Sequence, residues 1–86
     1  MGFSKFSRWG YIYTLGAGAE ANRVEVVGSP ACMLVTVGVP TVADAPQAAR
    51  ALVADGVERI ELGGAFGPEG MAAVVAAVGD HVAIGH

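Results

Sequence analysis

The chain has one cysteine, Cys32, and only five lysines and arginines in 86 residues. A single cysteine excludes an intrachain disulfide and fits a reducing compartment. No zinc-ligand spacing exists, and no flavin or nicotinamide fingerprint is legible. Lys5, Arg8, Arg23, Arg50 and Arg59 form no stripe, and the net charge is −3. A nucleic-acid backbone or an anionic membrane surface therefore has little to grip. Charged residues are scarce at 15 %, against roughly 25 % in ordinary domains. No apolar run approaches the ~20 residues that span a bilayer. Lys5 and Arg8 before WGYIYTLGAGAEA imitate a signal peptide. The apolar part is short and glycine-rich, however, and cleavage would delete a good strand. A cytoplasmic protein is expected.

What the chain has in quantity is apolar residues, 53 % of the total. One domain covering residues 1–86 buries only about 60–65 % of its unfolded surface. That interior is small for so much apolar surface, so a buried subunit interface is expected, as a homodimer or higher homo-oligomer.

Trp9 to Leu15 is aromatic and β-branched and predicts a strand. Trp9, Tyr11, Tyr13 and Leu15 share one face; Gly10, Ile12 and Thr14 share the other. Gly16 to Asn22 reads as a loop. Val24–Val27 and Cys32–Val39, split by Gly28-Ser29-Pro30, predict a hairpin. Pro40 ends the second run. Thr41 and Asp44 resemble a capping box for a helix over Val42–Ala54, with Val42, Ala45, Ala49, Leu52 and Val53 as its buried stripe. Pro46 is tolerable only in the first turn, and Gly56 suits the C′ position. A strand over Val57–Leu62 points Ile60 and Leu62 one way, Arg59 and Glu61 the other. A second helix starts near Pro68, with Met71, Val74, Val75 and Val78 as its stripe. A last strand runs from His81 to His86.

A strand covered on both faces should be apolar throughout, and this one is half polar. The expectation is a small two-layer α/β domain of order β-β-β-α-β-α-β. Its last three strands should be parallel with right-handed crossovers, and its helices mainly on one face.

Glu61 is the leading chemical candidate. A carboxylate near a parallel strand's C-terminal end sits where α/β proteins bind ligands, and partial burial would suit it as a general base. The plainer reading is an ion pair with Arg59, two residues back on the same face. Gly63, Gly64 and Gly67 open the second helix and could present backbone amides to a phosphate, a carboxylate or an enolate oxygen. Glycines also simply turn tight loops, and GGAFGPEG is neither a P-loop nor a dinucleotide fingerprint. Phe66 is a core plug or a pocket wall. Tyr11 and Tyr13 could donate to a ligand on the mixed face. His86, on the same sheet edge as Glu61, is a weaker acid–base partner. Cys32 reads as a small buried hydrophobe.

The succession WGYIYTLG, NRVEVV, VTVGVP, GVERIELGGAFGPEG and AVGDHVAIGH resembles DUF6506, small bacterial and fungal proteins of about a hundred residues. The most specific part is Ile60 to Gly70. Family members carry a Cys where this chain has Gly63 and often a His where it has Asn22, and they extend past His86. The resemblance implies this fold and a cytoplasmic location, and no activity. Two function classes stand. One is a small-molecule isomerase or lyase working by acid–base chemistry, with Glu61 as base and Gly63–Gly70 holding a negative oxygen. The other is a non-catalytic homo-oligomeric binding or scaffold protein.

Overall fold

The computed structural model describes residues 8–85. Five strands, β1 (Arg8–Thr14), β2 (Arg23–Ser29), β3 (Cys32–Val39), β4 (Arg59–Leu62) and β5 (Ala83–Gly85), form one sheet in the order β2-β3-β1-β4-β5. Helices α1 (Ala45–Ala54) and α2 (Gly67–Val78) fall in the two crossovers. β1 pairs in parallel with β3 and with β4, and β4 with β5. The last three strands therefore run one way, as expected. β1 inserts between β3 and β4, and β2 closes one edge as the antiparallel arm of a hairpin.

Alternation along the strands sorts the residues into two faces. Ile12, Val35, Val37, Ile60 and Leu62 lie on the inner face and join Ala45, Ala48, Ala49, Leu52, Val74 and Val78 in a single buried core. Both helices thus lie on one side of the sheet. Gly10 shows why α1 can come so near. A Cβ there would stand 2.9 Å from Leu52 Cδ1 and 3.3 Å from Val57 Cγ1, so the missing side chain is the room the helix uses.

Thr41 and Asp44 act together as the spacing predicts. The Asp44 carboxylate accepts from Thr41 N–H at 3.0 Å and from its hydroxyl at 2.8 Å. The first turn, Val42–Asp44, is 3₁₀, and α1 follows with Pro46 in its first turn, where no amide is missed. Gly56 takes φ +93° as the chain leaves α1. Val57 is buried in this turn, and β4 starts only at Arg59.

Three local expectations need correction. Val75 is 43 % exposed, and the buried positions of α2 are Gly70, Val74 and Val78. Gly70 fits because α2 packs close: a Cβ there would lie 2.9 Å from Phe66 Cβ and 3.1 Å from Val42 Cγ1. Cys32 is exposed, because it follows directly on the Pro30-Ala31 turn that joins β2 to β3. His81 sits in the turn before β5, outside the strand.

Among the described residues no helix is long and apolar enough to cross a membrane. Ile12 is fully buried at the sheet's centre. Ile12→Ala should cost about 2–5 kcal/mol in urea unfolding. Gln47→Ala, on the exposed side of α1, should change stability by no more than about 0.5 kcal/mol.

Candidate functional site

Among the described residues no helix lies on the outer sheet face, and cross-strand register arranges that face in rows. Val27, Leu34, Trp9, Arg59 and Ala83 form one row; Glu25, Thr36, Tyr11, Glu61 and Gly85 form the next. Arg23, Gly38 and Tyr13 follow toward the C-terminal ends of the parallel strands. Trp9 is 38 % and Tyr11 37 % exposed, large fractions for aromatics in the middle strand of a sheet.

Long side chains lie flat on this face because glycines make room for them. A Cβ on Gly38 would stand 2.8 Å from Tyr13 Cζ and from Leu15 Cδ2, so ring and isobutyl group rest over that glycine. One on Gly85 would stand 2.7 Å from Glu61 Oε2 and 2.8 Å from Arg59 Nη2. One on Gly63 would lie 3.2 Å from the Tyr11 hydroxyl. The Tyr11 and Tyr13 rings stack, with centroids 5.8 Å apart and planes 23° from parallel. The result is a plate with little relief.

Arg59 and Glu61 pair on β4, one strand in from the β5 edge. Arg59 donates to Glu61 Oε2 from Nη2 at 2.7 Å and from Nε at 2.8 Å. The ion pair expected from their i, i+2 spacing is therefore present. At 34 % and 36 % side-chain exposure it is a partly wetted pair, worth about 0–1 kcal/mol.

The loop after β4 serves packing. Gly63 N–H donates to the Ile12 carbonyl at 2.9 Å, and Phe66 N–H to the Gly63 carbonyl at 3.3 Å. Residues Gly64–Phe66 form a 3₁₀ turn that drives Phe66 into the core, 4 % exposed, which makes it a plug. Gly67 takes φ +64° to enter α2, a conformation that favours glycine. The structure thus brings Tyr11, Tyr13, Arg59, Glu61 and Gly63 together on one face, and takes Phe66 away from it. His86 lies outside the described residues, as does Lys5 of the leader-like segment.

Two features escape a reading of the sequence. A groove of about 330 Å³ runs along the inner face beside α1, lined by Val24, Val35, Val37, Ala48, Ala51 and Leu52, with Asn22 and Asp55 also on its walls. It exists because α1 packs over β1 and β3 and leaves β2 bare. The small Ala48 and Ala51 on one helix face were the available signal. Arg8 is the second. It donates from Nη2 to Asp55 at 3.0 Å and from its backbone N–H to Glu58 at 3.3 Å, tying the start of β1 to the α1–β4 connection. Among the described residues no group of three His, Cys, Asp or Glu could hold a metal ion.

Glu61→Gln and Arg59→Met should each shift the unfolding free energy by no more than about 1 kcal/mol, because water reaches the pair. A loss of about 3–5 kcal/mol would mean that the pair is buried by something lying on the plate.

No curated relative and no solved structure matches the chain. A family model does match, over residues 7–86. The chain accordingly belongs to DUF6506, a family of unknown function.

Proposed function

We propose that this is a non-catalytic, homo-oligomeric binding or scaffold protein whose open sheet face seats a second copy of the chain. The observation that carries this reading is the plate itself: aromatic, flat and, among the described residues, uncovered. Sheets pack face to face at about 10 Å, and glycine-backed, lying side chains suit that spacing.

Charge supports a copy of the same chain as the occupant. The plate carries Arg23, Glu25, Arg59 and Glu61, which cancel. The net −3 of the chain therefore lies on the remaining surface. Two such plates meet without net repulsion, and their Arg–Glu pairs can exchange partners across a twofold axis. Five strands about 4.8 Å apart and some 20 Å long give a plate on the order of 500 Å². Two plates bury about 1,000 Å², which reaches the threshold for a specific interface.

A second reading keeps a foothold in one observation: Glu61 lies next to the last residue of β4, at the strand end where parallel sheets bind ligands. On that reading the protein is an isomerase or lyase acting beside a carbonyl or carboxylate, with Glu61 as base. Arg59 already occupies Oε2 with two hydrogen bonds, which leaves Oε1 to take the proton. Glu61→Gln would then abolish turnover of such a substrate without altering the oligomer.

Light scattering at micromolar concentration should give the mass of two or more copies. Trp9→Glu combined with Tyr11→Glu should weaken that association at least about tenfold, by 1.4 kcal/mol or more, with the circular dichroism spectrum retained. A monomer mass for the unaltered chain would overturn the scaffold reading.

A further inference from the structure

The two edges of the sheet are built differently. β5 is three residues long, and a short edge offers little to pair with. β2 is seven residues long and exposed at every position. Among the described residues no strand pairs with its outer side. It carries no lysine or proline, the residues that commonly blunt an edge. On its inner face Val24 and Val26 are 60 % and 55 % exposed, beside the groove along α1.

We infer that β2 pairs antiparallel with β2 of a second copy, about a twofold axis through Val24, joining two sheets edge to edge. This edge goes beyond the reading above, and the side chains it shares with the border of the open face are Arg23 and Glu25. A twofold perpendicular to the sheet keeps inner face with inner face, so each residue opposes one of its own side. Gly28, at φ +111°, limits the regular stretch to residues 23–27. Charge then selects among the possible centres. A centre at Glu25 would set that carboxylate against the partner's Glu25. A centre at Val26 would set Glu25 against the partner's Val27. A centre at Val24 sets Arg23 against the partner's Glu25 and Glu25 against the partner's Arg23, while the two Val24 side chains meet on the inner face.

The charges needed are available. Within one chain Arg23 Nη2 stands 3.6 Å from Glu25 Oε2, and both side chains are more than half exposed. Directly opposed residues across strands stand closer than residues two apart along one strand, so cross-chain pairing improves on this loose contact. Centred at Val24, the ladder runs over residues 22–26, with Val26 opposite the partner's Asn22, and the two inner-face grooves meet across the axis at the paired Val24 side chains.

The test uses the full chain with Cys32→Ser, so that one introduced thiol is present at a time. Val24 opposes itself on the axis, at about the 4.5–5.5 Å Cα spacing that a disulfide spans. Val24→Cys should therefore give a covalent dimer as the main product of mild oxidation, several-fold above Val26→Cys and Val27→Cys. In a Trp9→Glu, Tyr11→Glu background, where the open face no longer pairs, Arg23→Glu and Glu25→Arg should each halve the mass seen by light scattering, and the two changes together should restore it. Equal cross-linking at all three positions, or a mass that ignores the single charge reversals, overturns the inference. Val24 faces away from the open plate, so its cross-link is independent of what the plate binds. If the plate stays bare, Trp9→Glu leaves the mass unchanged while Val24→Cys still cross-links.

Discussion

Leu52 rests on Gly10, and that contact sets the geometry of the whole molecule. β1 is the central strand, and its inner face offers a bare backbone position followed by the fully buried Ile12. Without a side chain at Gly10, α1 can sit low over β1 and β3, and Val57 can turn in beneath the end of the helix. With α1 so placed, α2 packs beside it, and its own close approach is made at Gly70. Two helices then span the middle of the sheet. They leave the inner side of β2 uncovered, and that is where the groove lies.

The outer face follows from the same economy. Among the described residues there are two α-helices, and both lie on one side. The chain's apolar content therefore cannot all be internal, and the excess collects in two places. Trp9, Tyr11 and Leu34 lie on the plate, and Val24 and Val26 on the edge strand. Each accumulation has polar residues arranged within it so that charges cancel: Arg59 with Glu61 on the plate, Arg23 with Glu25 on the edge. Neutral apolar surface of this kind favours association with like surface, because dehydration is not opposed by net charge.

The Arg59–Glu61 pair shows how a site reads differently in one dimension and in three. In sequence, a glutamate before a glycine-rich turn at a strand end has the features of a catalytic base. In the fold, Arg59 grips one carboxylate oxygen from two nitrogens, and the pair is laid over Gly85. The glycines after it spend their freedom on a 3₁₀ turn and on burying Phe66. Chemistry and packing use the same residue types here, and spacing along the chain does not separate the two uses.

By itself the sequence determined the elements and their faces. Alternation in WGYIYTL and in RIEL, the Thr41–Asp44 cap, Pro46 and Pro68 in first turns and Gly56 after α1 are local effects, acting within a few residues. A half-polar strand likewise implied helices on one side only. Tertiary structure alone decided that β1 lies between β3 and β4, since strand order depends on pairings between residues 25 to 50 positions apart. It decided that Val75 faces water while Gly70 is buried, because the neighbour α2 packs against, and not its own periodicity, chose the buried side. Cys32 became exposed because the hairpin turned just before it. Flatness of the outer face, too, was a tertiary outcome: it needed Gly38, Gly63 and Gly85, from three separate segments, to come beside Tyr13, Tyr11 and the Arg59–Glu61 pair.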